Sequence, residues 1–199
     1  MKFIKENGYD ILRLFINQVG ITIFSLVLYT STSDVFEDDA TALRIKVGIS
    51  IGAMLFYFAL LYTATWDIGA KDKIRIDGGR LKKTTYKGAL MSLMANSLNF
   101  ILALVCVISS GILVSSESEA AMNLLQIFNL FLRMLNAMYL GLIQGIFVSV
   151  QDNTNLYFFY QSIGYLVAPL LAILSTHLGY FMGLKDKKIF SGGKKKNAK

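Results

Sequence analysis

Five apolar runs punctuate the chain: Ile11–Thr30, Ile45–Trp66, Ala89–Ser110, Leu124–Val150 and Leu156–Leu184. Each reaches or exceeds the roughly 20 residues that a helix needs to cross about 30 Å of hydrocarbon. None shows the period-two alternation of a β-barrel strand. The expectation is an all-α integral membrane protein, a bundle of about five long apolar helices joined by short polar loops. The first run is longer than the core of a secretory leader and no clean small-x-small site follows it, so Leu12–Tyr29 reads as a retained helix. Residues 1–184 read as one bundle domain and 185–199 as a basic tail.

The polar residues inside these runs are ordered. In the fourth run Gln126, Asn129, Arg133, Asn136 and Gln144 fall within an arc of roughly 80° at about 100° per residue, with Asn123 close by. An unpaired polar group facing lipid costs several kcal/mol, so this stripe must face protein, water or a ligand, or lie at the membrane surface. The third run gathers Ser92, Asn96, Asn99, Ala103, Cys106 and Ser110 on one face. The first gathers Gln18, Thr22, Ser25 and Tyr29, and the last Gln161, Tyr165, Ala168, Ala172 and Gly179. GxxxG spacing occurs at Gly48–Gly52, Gly141–Gly145 and Gly179–Gly183, which lets helix backbones approach closely. The simplest reading of these faces is helix–helix packing. The competing reading is a path or ligand pocket lined by Gln126, Asn129, Arg133, Asn136, Gln144, Asn96 and Asn99.

The largest polar connection, Trp66–Lys87, alternates apolar residues around Asp77-Gly78-Gly79, which predicts a small β-hairpin over residues 73–82. Lys71, Lys73, Arg75, Arg80, Lys82, Lys83 and Lys87 cluster there and are candidate contacts for anionic lipid headgroups or a partner subunit. Trp66 and Tyr62 fit an interfacial aromatic belt.

Net charge is +7, concentrated at Lys2–Arg13, Lys71–Lys87 and Lys185–Lys199, while acids gather at Asp34–Asp39 and Glu117–Glu119. In a chain of apolar helices this asymmetry sets orientation and does not indicate nucleic-acid binding. It places the N-terminus and residues 67–87 in the cytoplasm, with the protein in the plasma (inner) membrane. A conflict of parity follows. Five crossings, the favoured count, put the lysine-rich C-terminus outside. The alternative keeps it inside by laying Ala121–Asn136 at the outer interface and making 137–150 a re-entrant piece.

Chemistry is sparse. Arg133 is the one charge well inside a run, and no run holds an Asp or Glu to pair with it, although a buried charge should have a partner. That lack of carboxylates argues against a cation transporter. A single cysteine, Cys106, excludes an intrachain disulfide and a cysteine-based zinc site. Gly48-Ile49-Ser50-Ile51-Gly52 fits G-x-S-x-G but lies in an apolar helix, not a strand-to-helix turn, and the single histidine is His177. No nucleotide-binding or zinc-protease motif is present, and no cofactor is expected. The sequence points first to a non-enzymatic multi-pass subunit of a transporter or other membrane complex, acting as a homo-oligomer or with partner subunits. The second reading is a self-associating pore or carrier for a neutral or anionic polar solute. An intramembrane serine hydrolase is a distant third.

Overall fold

The computed structural model describes residues 2–35, 38–116 and 118–187; Glu37, Glu117 and the chain from Lys188 onward, including most of the basic tail, lie outside them. The described residues form helices α1 (Lys2–Val35), α2 (Asp39–Asp77), α3 (Lys87–Ala95), α4 (Ser97–Ser115), α5 (Glu119–Leu135), α6 (Ala137–Ile146) and α7 (Thr154–Leu184). Four are long and apolar enough to cross a membrane: α1, α2, α4 and α7; α5 and α6 together make a fifth candidate, bent by 112°.

Helix boundaries follow local chemistry. Asp38 caps α2, accepting from the Thr41 amide at 2.9 Å and from its hydroxyl, and these bonds hold its carboxyl below the usual range. Ser118 and Asn153 cap α5 and α7 in the same way, accepting from Ala121 N and Leu156 N. At 39 residues, α2 passes through Trp66 and well into the supposed loop.

No strand forms among the described residues, and the expected hairpin over 73–82 is replaced by the last turn of α2 and its cap. Gly79 has φ 70°, Arg80 N–H bonds to Arg75 O and Gly79 N–H to Ile76 O, the paired bonds of a Schellman cap. The glycine signal for a positive φ was correct. It ends a helix here because two alternating isoleucines, one of them largely exposed, are too little to hold a lone hairpin against a continuing helix. The polar connection therefore shrinks to residues 78–86.

The third apolar run is broken too, at Asn96, between α3 and α4. The Asn96 side chain donates to Ser92 O at 2.9 Å, a local bond that competes with regular helix. The expected buried face of this run nonetheless holds, since Ser92, Asn96, Asn99, Ala103, Cys106 and Ser110 are all buried.

Helix α2 is the spine, with α6 and α7 packed along it. A methyl group on Gly141 would collide with Lys46 O and Ser50 Oγ, and one on Gly145 with the Val47 side chain. Gly179 and Gly183 meet α2 at Tyr62, Thr65 and Trp66 in the same manner. The third pair departs from expectation: a methyl on Gly48 or Gly52 would meet no atom, so that pair is not an internal seam. The enclosed core contains Tyr57, Tyr139, Tyr165, Tyr180, Leu14, Leu61, Met91, Leu125 and Leu132.

Contacts fix which helix ends lie together. At the basic end, Trp66 Nε1 donates to Lys187 O at 2.8 Å and Lys73 pairs with Asp186, joining the end of α7 to α2. At the distal end, Asn155 Nδ2 donates to Leu113 O at 3.1 Å, and Ser118, Glu119 and Met122 share a hollow with both residues. The start of α5 and the start of α7 therefore sit side by side where α4 ends. The α5–α6 pair enters the bundle from the distal end, turns at Asn136 and leads back to that end.

Candidate functional site

The turn at Asn136 lies about 25 Å along α5 from its distal start, so backbone groups are broken out of a helix deep in the bundle. Several of the groups around the turn have partners. Leu135 O accepts from Thr22 Oγ1 at 2.9 Å and Gln18 Nε2 at 3.3 Å. Leu132 O accepts from the Asn136 amide and its side chain, and Asn136 O accepts from Tyr139 N–H. Gly141 N–H meets Ser50 Oγ at 2.9 Å. The polar face of α1 thus serves the break in α5.

The polar stripe of the fourth run is divided by this break. Asn136 turns inward and extends a buried chain of amides: its Nδ2 donates to Asn99 Oδ1 at 3.3 Å, and Asn99 Nδ2 donates to Asn96 Oδ1 at 3.1 Å. These three residues form a packing seam. Gln144, on α6, accepts a hydrogen bond from the Tyr29 hydroxyl. Asn123 is exposed.

Gln126, Asn129 and Arg133 instead line one cavity of about 410 Å³ with Leu26, Tyr29, Thr30, Leu130, Met134, Leu140 and Phe158. Helix α5 presents them because its opposite face, with Leu125 and Leu132, is spent on the core. Arg133 is half-buried, within electrostatic reach of the Tyr29, Tyr157 and Tyr165 hydroxyls. The Tyr165 hydroxyl nevertheless makes no hydrogen bond. The Lys46 ammonium lies over the Tyr29 ring, 4.8 Å from its centroid. Among the described residues no carboxylate pairs with Arg133, since the ion pairs lie at Asp72 and Asp186. Asn129 is 6% exposed and its Oδ1 has no partner. The site can therefore offer a cation and an unspent amide to a ligand.

A second polar cluster sits at the basic end. Asp72, buried on α2, receives Lys87 Nζ at 2.7 Å and the Tyr180 hydroxyl at 3.0 Å, with Arg75 at 3.8 Å. It borders a cavity of about 520 Å³ that also reaches Glu6, Lys82 and Tyr86. Of the basic residues singled out from the sequence, Lys71, Arg75, Arg80, Lys82 and Lys83 are exposed. Lys73 is bound to Asp186, and Lys87 is committed to Asp72. An acid beside the basic loop reads as a local charge partner, which Asp72 is for Lys87 and Arg75; the part of Tyr180 was not legible.

Ser50 and His177 are not brought together. Ser50 packs on Gly141, whereas His177 stacks on Phe181 between Ser175, bonded to Phe58 O, and Gly179, packed on Tyr62, about 15 Å further along α2 by helical rise. The roles of Gln18 and Thr22 at the break were missed, although their shared face was visible. Comparison with family models, curated proteins and solved structures finds no match.

Proposed function

We propose that this chain is a non-enzymatic, multi-pass subunit of a membrane transport assembly, with four crossings and one re-entrant hairpin. Helices α1, α2, α3 with α4, and α7 cross; α5 and α6 enter and leave on the distal side. The carrying observation is the adjacency of Ser118 and Asn155 beside Leu113, at the two ends of the hairpin. With four crossings the conflict of parity does not arise. Four crossings return the chain to the end bearing Lys71–Lys83, the side that the positive-inside bias assigns to the cytoplasm of a plasma (inner) membrane protein.

The transport reading draws support from the broken helix. Irregular backbone at membrane depth persists only where protein or a cavity covers it, and discontinuous helices commonly carry the binding sites of transporters. Arg133 stands about one turn from the break and lines the cavity. A pore along the whole stripe draws less support, because Asn96, Asn99 and Asn136 bond to one another in a buried seam, which leaves only Asn136 Oδ1 of the three without a partner.

Single cysteines placed in a Cys106→Ala background, probed with an impermeant maleimide on each side of sealed membranes, test the topology. Lys82→Cys and Lys185→Cys are expected to react from one side, and Glu119→Cys and Asp152→Cys from the other. Reaction of Glu119→Cys and Asp152→Cys from opposite sides would restore five crossings.

A further inference from the structure

We infer that the Arg133 cavity holds the headgroup of an anionic phospholipid drawn from the surrounding bilayer, an inference that rests on the membrane topology just proposed. Three features of the cavity select this chemistry.

The first is charge. Arg133 carries a planar fork of donors suited to phosphate, Lys46 adds a second cation behind Tyr29, and no described carboxylate neutralises Arg133. A cation held at this depth without a counter-ion is unfavourable, and a phosphate supplies the missing charge.

The second is the unspent acceptor. Asn129 Oδ1 lies buried with no donor, at a cost of about 1–3 kcal/mol if left so. Asn129 and Arg133 are four residues apart on α5 and so share a face. A headgroup with a hydroxyl beside its phosphate, as in a phosphatidylglycerol, satisfies both at once. A choline headgroup offers no donor to Asn129 and brings its own cation.

The third is the rim. Leu130 and Met134 border the cavity yet are 58% and 46% exposed. In a bilayer they face acyl chains, so the entrance is lateral and apolar. A soluble anion would have to shed its water against that rim, whereas a lipid slides in with its chain on Leu130 and Met134 and its phosphate on Arg133.

The test is native mass measurement of the purified full chain, delipidated in detergent and then given equal amounts of phosphatidylglycerol and phosphatidylcholine of matched chain length. Wild type is expected to retain phosphatidylglycerol about 10-fold over phosphatidylcholine. Arg133→Met should bring the ratio near 1, and Asn129→Leu should lower it several-fold while binding persists. Should Arg133→Met fold poorly, Arg133→Lys, which keeps charge without the fork, should fall between the two. Lys82→Gln with Lys83→Gln should leave the ratio unchanged. No preference in wild type, or a preference lost only in the Lys82 and Lys83 variant, would overturn the proposal. Inorganic phosphate at 10-fold excess over lipid should not displace it; displacement that depends on Arg133 would make the occupant a soluble anion and overturn the lipid assignment. Lipid retention on purified protein does not depend on how often the chain crosses, so failure here and failure of the labelling experiment are separable.

Discussion

Thr22 on α1 donates its hydroxyl to the carbonyl of Leu135, the last residue of α5, at 2.9 Å. That bond, backed by Gln18 at 3.3 Å, lets a helix stop in the middle of an apolar bundle. Without them the carbonyl would be buried with no partner, at a cost of about 1–3 kcal/mol. Thr22→Val alone is expected to lower stability by about 1 kcal/mol, near the usual value of a hydrogen bond inside a membrane protein, because Gln18 remains. Thr22→Val with Gln18→Leu should lose more than the sum of the two single variants. Reversible unfolding in mixed micelles reads this; strict additivity would mean that the two donors do not back each other up.

Alanine at the glycines should divide them by position. Gly141→Ala must push α6 away from Lys46 O and Ser50 Oγ, and a loss of about 2 kcal/mol or more is expected, in the range of overpacked cores. Gly48→Ala meets open space and should be neutral or gain up to about 1 kcal/mol from helix propensity. Thermal denaturation in one detergent compares them. Equal losses at both sites would place an unseen neighbour on Gly48.

Asp72 anchors three partners, from α2, the start of α3 and α7. Asp72→Asn leaves Lys87 nearly buried and unpaired, and a loss of about 3 kcal/mol is expected. Adding Lys87→Met should recover part of it, since removing both partners is milder than removing one. A double-mutant cycle gives the coupling, and a coupling near zero would assign Lys87 to solvent.

The cap after α2 gives a backbone test. Gly79→Ala forces a side chain into φ 70° and should cost about 1 kcal/mol, while Gly78→Ala, at φ −82°, should cost less. Helix content by circular dichroism should be nearly unchanged in both, since α2 has other support.

These sites show which parts of the fold the residue pattern carried. The apolar runs located every long helix, and periodicity correctly grouped the buried faces of α1, α4 and α7, because burial and helical period are both written one residue at a time. The break at Asn96 was not legible, since an asparagine in an apolar run reads the same whether it kinks a helix or pairs across one, whereas the division at Asn136 was reached only as the alternative to five crossings, through the parity of the charged ends. The end of α2 was misread because a positive φ at Gly79 serves a hairpin and a helix cap equally well. At the candidate site, Arg133 and Asn129 were marked from polarity alone. Their separation from Asn136 depends on a turn whose partners, Gln18 and Thr22, lie more than a hundred residues away.

Helices α6 and α7 both ride on α2 through glycine contacts, with Gly141, Gly145, Gly179 and Gly183 pressed against its backbone or side chains. Two helices pressed that closely to one rail cannot slide along it without bringing larger residues against it, and tilting away would give up the contact. The Arg133 cavity accordingly has one wall, carrying Leu140 and Phe158, on helices seated against α2, and another, on α5 and α1, where no glycine makes such a contact. A crosslink between α5 and α1 is therefore expected to restrict the cavity more than one between α6 and α7.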